Sequence, residues 1–78
     1  MNEFTEKQLK DLDYFSANVA QFFKDNSLRF RHIIISDAKI VKSFDALDKA
    51  VDYAVQNLKK GEYIIEQVIN EDEIVNFV

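Results

Sequence analysis

Apolar positions along the chain fall into four blocks of differing period. In the first, Leu9, Leu12, Phe15, Val19, Phe22 and Phe23 recur three and four residues apart, which is the spacing of one helix face. Thr5 is a good N-cap for that helix, Gln8 completes a capping box three residues on, and Phe4 is placed to staple onto Leu9. Polar Lys24, Asp25, Asn26 and Ser27 mark its end. The second block, "LRFRHIIISDAKIVKSF" from Leu28 to Phe44, is β-branched and aromatic on both sides of "SDAK", and it predicts an antiparallel hairpin. The third, "FDALDKAVDYAVQNLKKG", returns to helical spacing, with Leu47, Ala50, Val51, Ala54 and Leu58 as the expected buried stripe. Asp45 is the expected cap of this second helix and Asp48 suits its first turn. Lys59 and Lys60 suit its last turn, and Gly61, the sole glycine, suits the left-handed position after it. The fourth block, "EYIIEQVI", predicts a strand from Tyr63 to Ile69; "NEDE" then reads as an acidic turn and "IVNFV" as a short strand or docking tail.

The order αββαβ, with that terminal strand or tail, defines an α+β fold in which two helices pack on a small, mostly antiparallel sheet, a single compact domain spanning residues 1–78. Because Asp37-Ala38 lacks the glycine of a two-residue turn, a four-residue loop around a type I turn is expected between the strands. It sets Ile35 opposite Ile40, Ile33 opposite Lys42 and Arg31 opposite Phe44. One face then carries Arg31, Ile33, Ile35, Ile40, Lys42 and Phe44, and the other Phe30, His32, Ile34, Val41 and Ser43. Neither face is purely polar, so the expectation is a sheet covered by helices on one side and partly by a neighbour on the other.

Composition narrows the functional classes. With 47% hydrophobic residues and seven Phe, the 78-residue chain is too apolar to stay disordered, yet short enough to need dense packing. It has no cysteine, which excludes disulfides and Cys-based zinc sites, and its lone histidine excludes a multi-histidine metal site within one chain. No apolar run approaches the roughly 20 residues of a membrane span. "MNEFTEKQLK" lacks the basic start and apolar centre of a signal peptide, so a cytoplasmic protein without membrane contact is expected. Net charge is −4 but uneven, with four basic residues and one acid between Arg29 and Lys42.

No G-x-S-x-G, P-loop or G-x-G-x-x-G motif is present, and His32 reads as a hydrogen-bonded strand residue; neither an enzyme nor a cofactor is expected. "NEDE" lacks the spacing and central glycine of an EF-hand, so no metal site is expected there. The expected activity is non-covalent binding to protein, as a homodimer, with Phe15, Val19 and Phe22 (joined by Leu12 in an approximate heptad) as candidate seam residues. Arg29, Arg31, His32, Lys39 and Lys42 are the second candidate set. On that ribbon single-stranded RNA or DNA is the alternative partner, with Phe30 to stack on a base. Period two separates Phe30 from Arg29 and Arg31, and the acidic excess opposes nucleic acid, so the arginines are expected instead to pair with acids in the monomer or across an interface.

From Ile33 to Ile69 the residues Ser43, Phe44, Asp45, Ala50, Tyr53, Ala54, Gly61 and Tyr63 form a pattern of hairpin, "SFD" entry, alanine-containing helix, glycine and apolar strand. It resembles small uncharacterised ββαβ-type domains of bacteria, archaea and phages. That resemblance implies a fold and no site. A small acidic chain without catalytic motifs also has the profile of a phage or mobile-element inhibitor or regulator of host machinery.

Overall fold

Thr5 sets the start of the first helix as the sequence predicts. Its side chain accepts from the Gln8 N–H while the Gln8 side chain accepts from the Thr5 N–H, and α1 runs Glu6–Lys24. Phe4 and Leu9, the expected staple, are both about half exposed. The structure, a computed structural model, describes residues 4–69, so the expected acidic turn "NEDE" and the expected strand or tail "IVNFV" lie outside the described residues. After α1 come β1 (His32–Ser36), β2 (Lys39–Phe44), α2 (Leu47–Asn57) and β3 (Ile64–Gln67). The chain is therefore an α+β protein of order αββαβ, with an antiparallel sheet ordered β2-β1-β3.

The three isoleucines of β1 divide between two cores, and so both faces of the sheet are covered within the chain. Ile33 and Ile35 point to α1, where they pack with Phe15, Val19, Ile64 and Val68. Ile34 points the other way, against Ala50 and Ala54 of α2. The helices thus lie on opposite faces, rather than together on one as the sequence implied. All three isoleucines are fully buried, which is why β1 reads as an unbroken apolar run.

The hairpin corrects two further expectations. Asp37 and Ala38 both adopt φ of 55°, and Ser36 pairs with Lys39, so the connection is a two-residue turn of the type I′ kind. Ile35 does face Ile40, but the register then shifts: Ile34 pairs with Lys42, Ile33 with Ser43 and His32 with Phe44. Val41 is the extra residue of a bulge. A regular strand would keep Ile40, Lys42 and Phe44 on one face. The bulge leaves Ile40 toward α1 and sends Lys42 and Phe44 toward α2, where the Lys42 ammonium lies 4.9 Å from the Tyr53 ring centroid and 5.5 Å from that of Phe44.

An L-alanine in the left-handed region is strained, and a buried carboxylate holds it there. Asp11, only 1% exposed, accepts from the Ala38 N–H at 2.9 Å. Beside it, Lys7 reaches Ser36 Oγ at 3.1 Å, Asp37 at 3.2 Å and Glu62 at 3.6 Å. Thr5 Oγ1 donates to the Gly61 carbonyl and Gln8 Nε2 to that of Tyr63. The first two turns of α1 are thereby tied to both the hairpin tip and the segment entering β3. Ala38→Gly is expected to raise stability by about 0.5–1 kcal/mol, the left-handed penalty removed less the extra chain entropy of glycine. A lowered urea midpoint in that variant would contradict the strain assignment.

α2 begins without the expected cap. Ala46 is the N-cap and makes no side-chain bond, while Asp45 instead pairs with Lys49 at 3.2 Å. The helix also ends early, with Leu58 as C-cap, so Lys59 and Lys60 lie beyond it rather than in its last turn. Gly61 is left-handed as predicted (φ 86°) but three residues past the cap, in a turn closed by the Glu62 N–H on the Lys59 carbonyl.

Candidate functional site

α2 carries two apolar rows, and only one meets the sheet. Ala50 and Ala54 are fully buried on Ile34, with Leu58 and Tyr53 packed beside them. Their small side chains let the helix lie close to the strand. Closeness of that row fixes the helix rotation and turns Leu47, Val51 and Val55 outward at 52%, 40% and 69% exposure. The sequence reading placed Leu47 and Val51 in the buried stripe; the alanine row displaces them. These three residues, spaced by four, form one line about 12 Å long on the solvent side. The outer face of α1 differs, presenting Lys10, Asp13, Ser16, Ala17, Ala20 and Gln21.

The candidate seam on α1 is consumed by the core. Phe15 and Val19 are 6% and 3% exposed, and Leu12 and Phe22 pack against the same cluster. These residues hold the sheet and are not available to a partner in this fold.

The basic candidates do not assemble into one track. Arg31 donates to Ser43 Oγ at 3.1 Å and to the Ser43 carbonyl at 3.2 Å, an arrangement the bulge makes by bringing Ser43 to its side. Lys42 lies on the α2 side over Phe44 and Tyr53, Lys39 is exposed beside the turn, and His32 is half-buried between Phe44 and Gln67. Arg29 sits at the end of α1, its Nε on the Phe23 carbonyl at 2.8 Å and its guanidinium 4.9 Å from the Phe23 ring centroid. Among the described residues the arginines do not make the ion pairs with acids expected inside the monomer. Backbone and hydroxyl acceptors take that place.

Phe30 is not in a strand. Its φ is 65°, its N–H donates to the Val68 carbonyl, and Gln67 donates to its own carbonyl. The turn leaves its ring 53% exposed and edge-on to Phe23 at 5.4 Å. Arg29 and Phe30 therefore share the Phe23 ring, where strand periodicity would have set them on opposite faces.

An open cavity of about 360 Å³ beside the hairpin tip is lined by Glu6, Lys7, Lys10, Asp11, Asp37 and Ala38, and His32 is not among its walls. Asp11 Oδ2 lacks a hydrogen-bond partner among the described residues. No group of three or more His, Cys, Asp or Glu there is placed to hold a metal ion. The role the geometry gives Asp11 is to clamp the turn. Its signal in the sequence was position: it stands four residues before Phe15, on the row that continues to Val19.

Opposite Ile33, burial pushes the Glu66 carboxyl up. A carboxyl whose folded pKa is raised contributes stability that is fully present below the ordinary glutamate pKa and lost as pH rises through the folded value. Glu66→Gln is accordingly expected to be more stable than the parent at pH about 7, with the difference vanishing by about pH 3.5. Urea midpoints at the two pH values check this, and a glutamine variant less stable at neutral pH would contradict it.

Fold and surface together define a small α+β protein with one helix on each face of a three-stranded sheet and an exposed apolar row on the second helix. No family model, curated protein or solved structure matches the chain. No helix among the described residues is long and apolar enough to cross a membrane.

Proposed function

We propose that this chain is a non-catalytic protein that acts by binding protein through the outer face of α2. The observation that carries this reading is the aligned exposure of Leu47, Val51 and Val55 on a helix whose opposite row is fully buried. An apolar row left outside a formed core gains by burial against another chain. Flanking Asp48 and Asp52 are exposed and give that face the charged rim typical of an interface. An acidic rim also suits a regulator or inhibitor that occupies a cationic pocket on its target.

Capture from the native host tests the reading. The parent chain is expected to retain a protein that Val51→Glu and Val55→Glu both lose, with circular dichroism unchanged because both positions are exposed. The same captured set with all three chains would defeat it.

A second reading, contact with single-stranded nucleic acid, is favoured by the exposed Phe30 beside Arg29. It requires salt-dependent binding of an oligonucleotide that is lost in both Phe30→Ala and Arg29→Ala. The scattering of the other cations over separate surfaces weighs against it.

A further inference from the structure

We infer that the open cavity beside the hairpin tip binds a small primary alkylamine in its ammonium form, one N–H of which donates to Asp11 Oδ2. The cavity lies on the α1 side of the sheet, away from the apolar row of α2, and its ligand is independent of the protein-binding reading above. The first support is the divided use of one carboxyl. Asp11 Oδ1 accepts from the Ala38 N–H at 2.9 Å and clamps the turn, whereas Oδ2, on a residue only 1% exposed, has no partner among the described residues. Buried acceptors are nearly always paired, so one left open on a side chain that lines a cavity marks a place for a donor.

The neighbouring cations do not supply that donor. Lys7 stands one turn before Asp11, within reach of it along the helix, but its ammonium is held by Ser36 Oγ at 3.1 Å, Asp37 at 3.2 Å and Glu62 at 3.6 Å. Lys10 is exposed and forms no ion pair among the described residues. With Lys7 set against Asp37, the formal charges remaining on the cavity wall are Glu6 and Asp11 against Lys10, an excess of one acid. A ligand with a single positive charge matches that excess.

Geometry and size narrow the ligand further. Because Oδ1 is occupied, Asp11 offers one acceptor, which suits an ammonium; a guanidinium draws its advantage from two parallel bonds to both oxygens. The volume of about 360 Å³ exceeds a bare ammonium ion and falls at the low end of small-molecule sites. Ala38 and the methylene stems of Lys7 and Lys10 give a short alkyl chain an apolar wall.

Titration of the full chain with n-butylammonium chloride at constant ionic strength, followed by amide NMR, tests this. The expected result is saturable shifts at Lys7, Lys10, Asp11 and Ala38 that fit one site, with a dissociation constant on the order of 1–10 mM. Butyltrimethylammonium has the same charge and chain but no N–H donor, and it is expected to bind roughly tenfold or more weakly. The same loss is expected for n-butylammonium on Asp11→Asn, whose amide keeps the acceptor for Ala38 and turns an NH₂ group toward the ligand. No saturable shift up to about 100 mM, as when water alone satisfies Oδ2, overturns the inference. Equal binding of the trimethyl analogue, or of n-butylammonium to Asp11→Asn, overturns it as well. Nα-acetyl-lysine amide carries the same ammonium on a peptide backbone and is expected to bind no more tightly than n-butylammonium. Tighter binding of the amide would assign the cavity to a lysine of a bound protein and overturn the free-amine assignment.

Discussion

Ile34→Ala is expected to lose about 2–5 kcal/mol of folding stability, a large share of what a domain this small possesses. Ile34 is fully buried in the central strand and is the sheet residue on which Ala50 and Ala54 rest. Alanines on the facing helix have no side-chain reach with which to fill the hole. The hole is filled only as far as the partly buried Phe44, Tyr53, Leu58, Tyr63 and Ile65 at its border shift, which places the cost inside that range. Ile33 faces Phe15 and Val19 instead, larger side chains that can relax inward. Ile33→Ala is thus the natural comparison, with a smaller loss. Urea denaturation followed by circular dichroism reads both. An Ile34→Ala variant within about 1 kcal/mol of the parent would contradict the placement of α2 on that residue.

The second large effect belongs to a polar residue. Asp11→Ala is expected to destabilise by about 1–3 kcal/mol, because it leaves the Ala38 N–H without its acceptor in a turn that is already strained. Asp11→Asn keeps an acceptor oxygen for that N–H while replacing a buried carboxyl whose Oδ2 has no partner among the described residues. It should remain within about 1 kcal/mol of the parent. Adding Ala38→Gly to Asp11→Ala is expected to recover part of the loss, since relieving the left-handed strain weakens the need for the clamp. Equal losses in the alanine and asparagine variants would show that the hydrogen bond to Ala38 is not what Asp11 supplies.

Element order and the capping of α1 were legible in the sequence because each has a local cause: a hydrophobic period, a Thr-x-x-Gln box, an uninterrupted isoleucine run. The faces of the hairpin were not. They depend on one inserted residue, Val41, and a bulge exchanges every side chain beyond it while leaving the apolar composition unchanged. The β propensity of Phe30 predicts a strand, whereas its left-handed backbone is fixed by hydrogen bonds from Gln67 and to Val68, some 37 residues away along the chain. The apolar row on α2 was obscured for a related reason. Six apolar residues cover a wider arc of that helix than one sheet face can bury, and only contact with Ile34 decides that the alanines, and not Leu47 and Val51, turn inward. The same packing buries the large apolar row of α1 and leaves the open one on α2. Phe15 and Val19 are the large residues that α1 must spend to cover Ile33 and Ile35.

That α2's outer row is the surface this protein uses is the central claim, and amide and methyl NMR spectra recorded as the captured host protein is added test it residue by residue. The expected result is shifts concentrated at Leu47, Val51 and Val55 and at their charged neighbours Asp48 and Asp52, with β1 and the outer face of α1 unmoved. Shifts centred on β2 or on Phe30, or a spectrum indifferent to the captured protein, would contradict it.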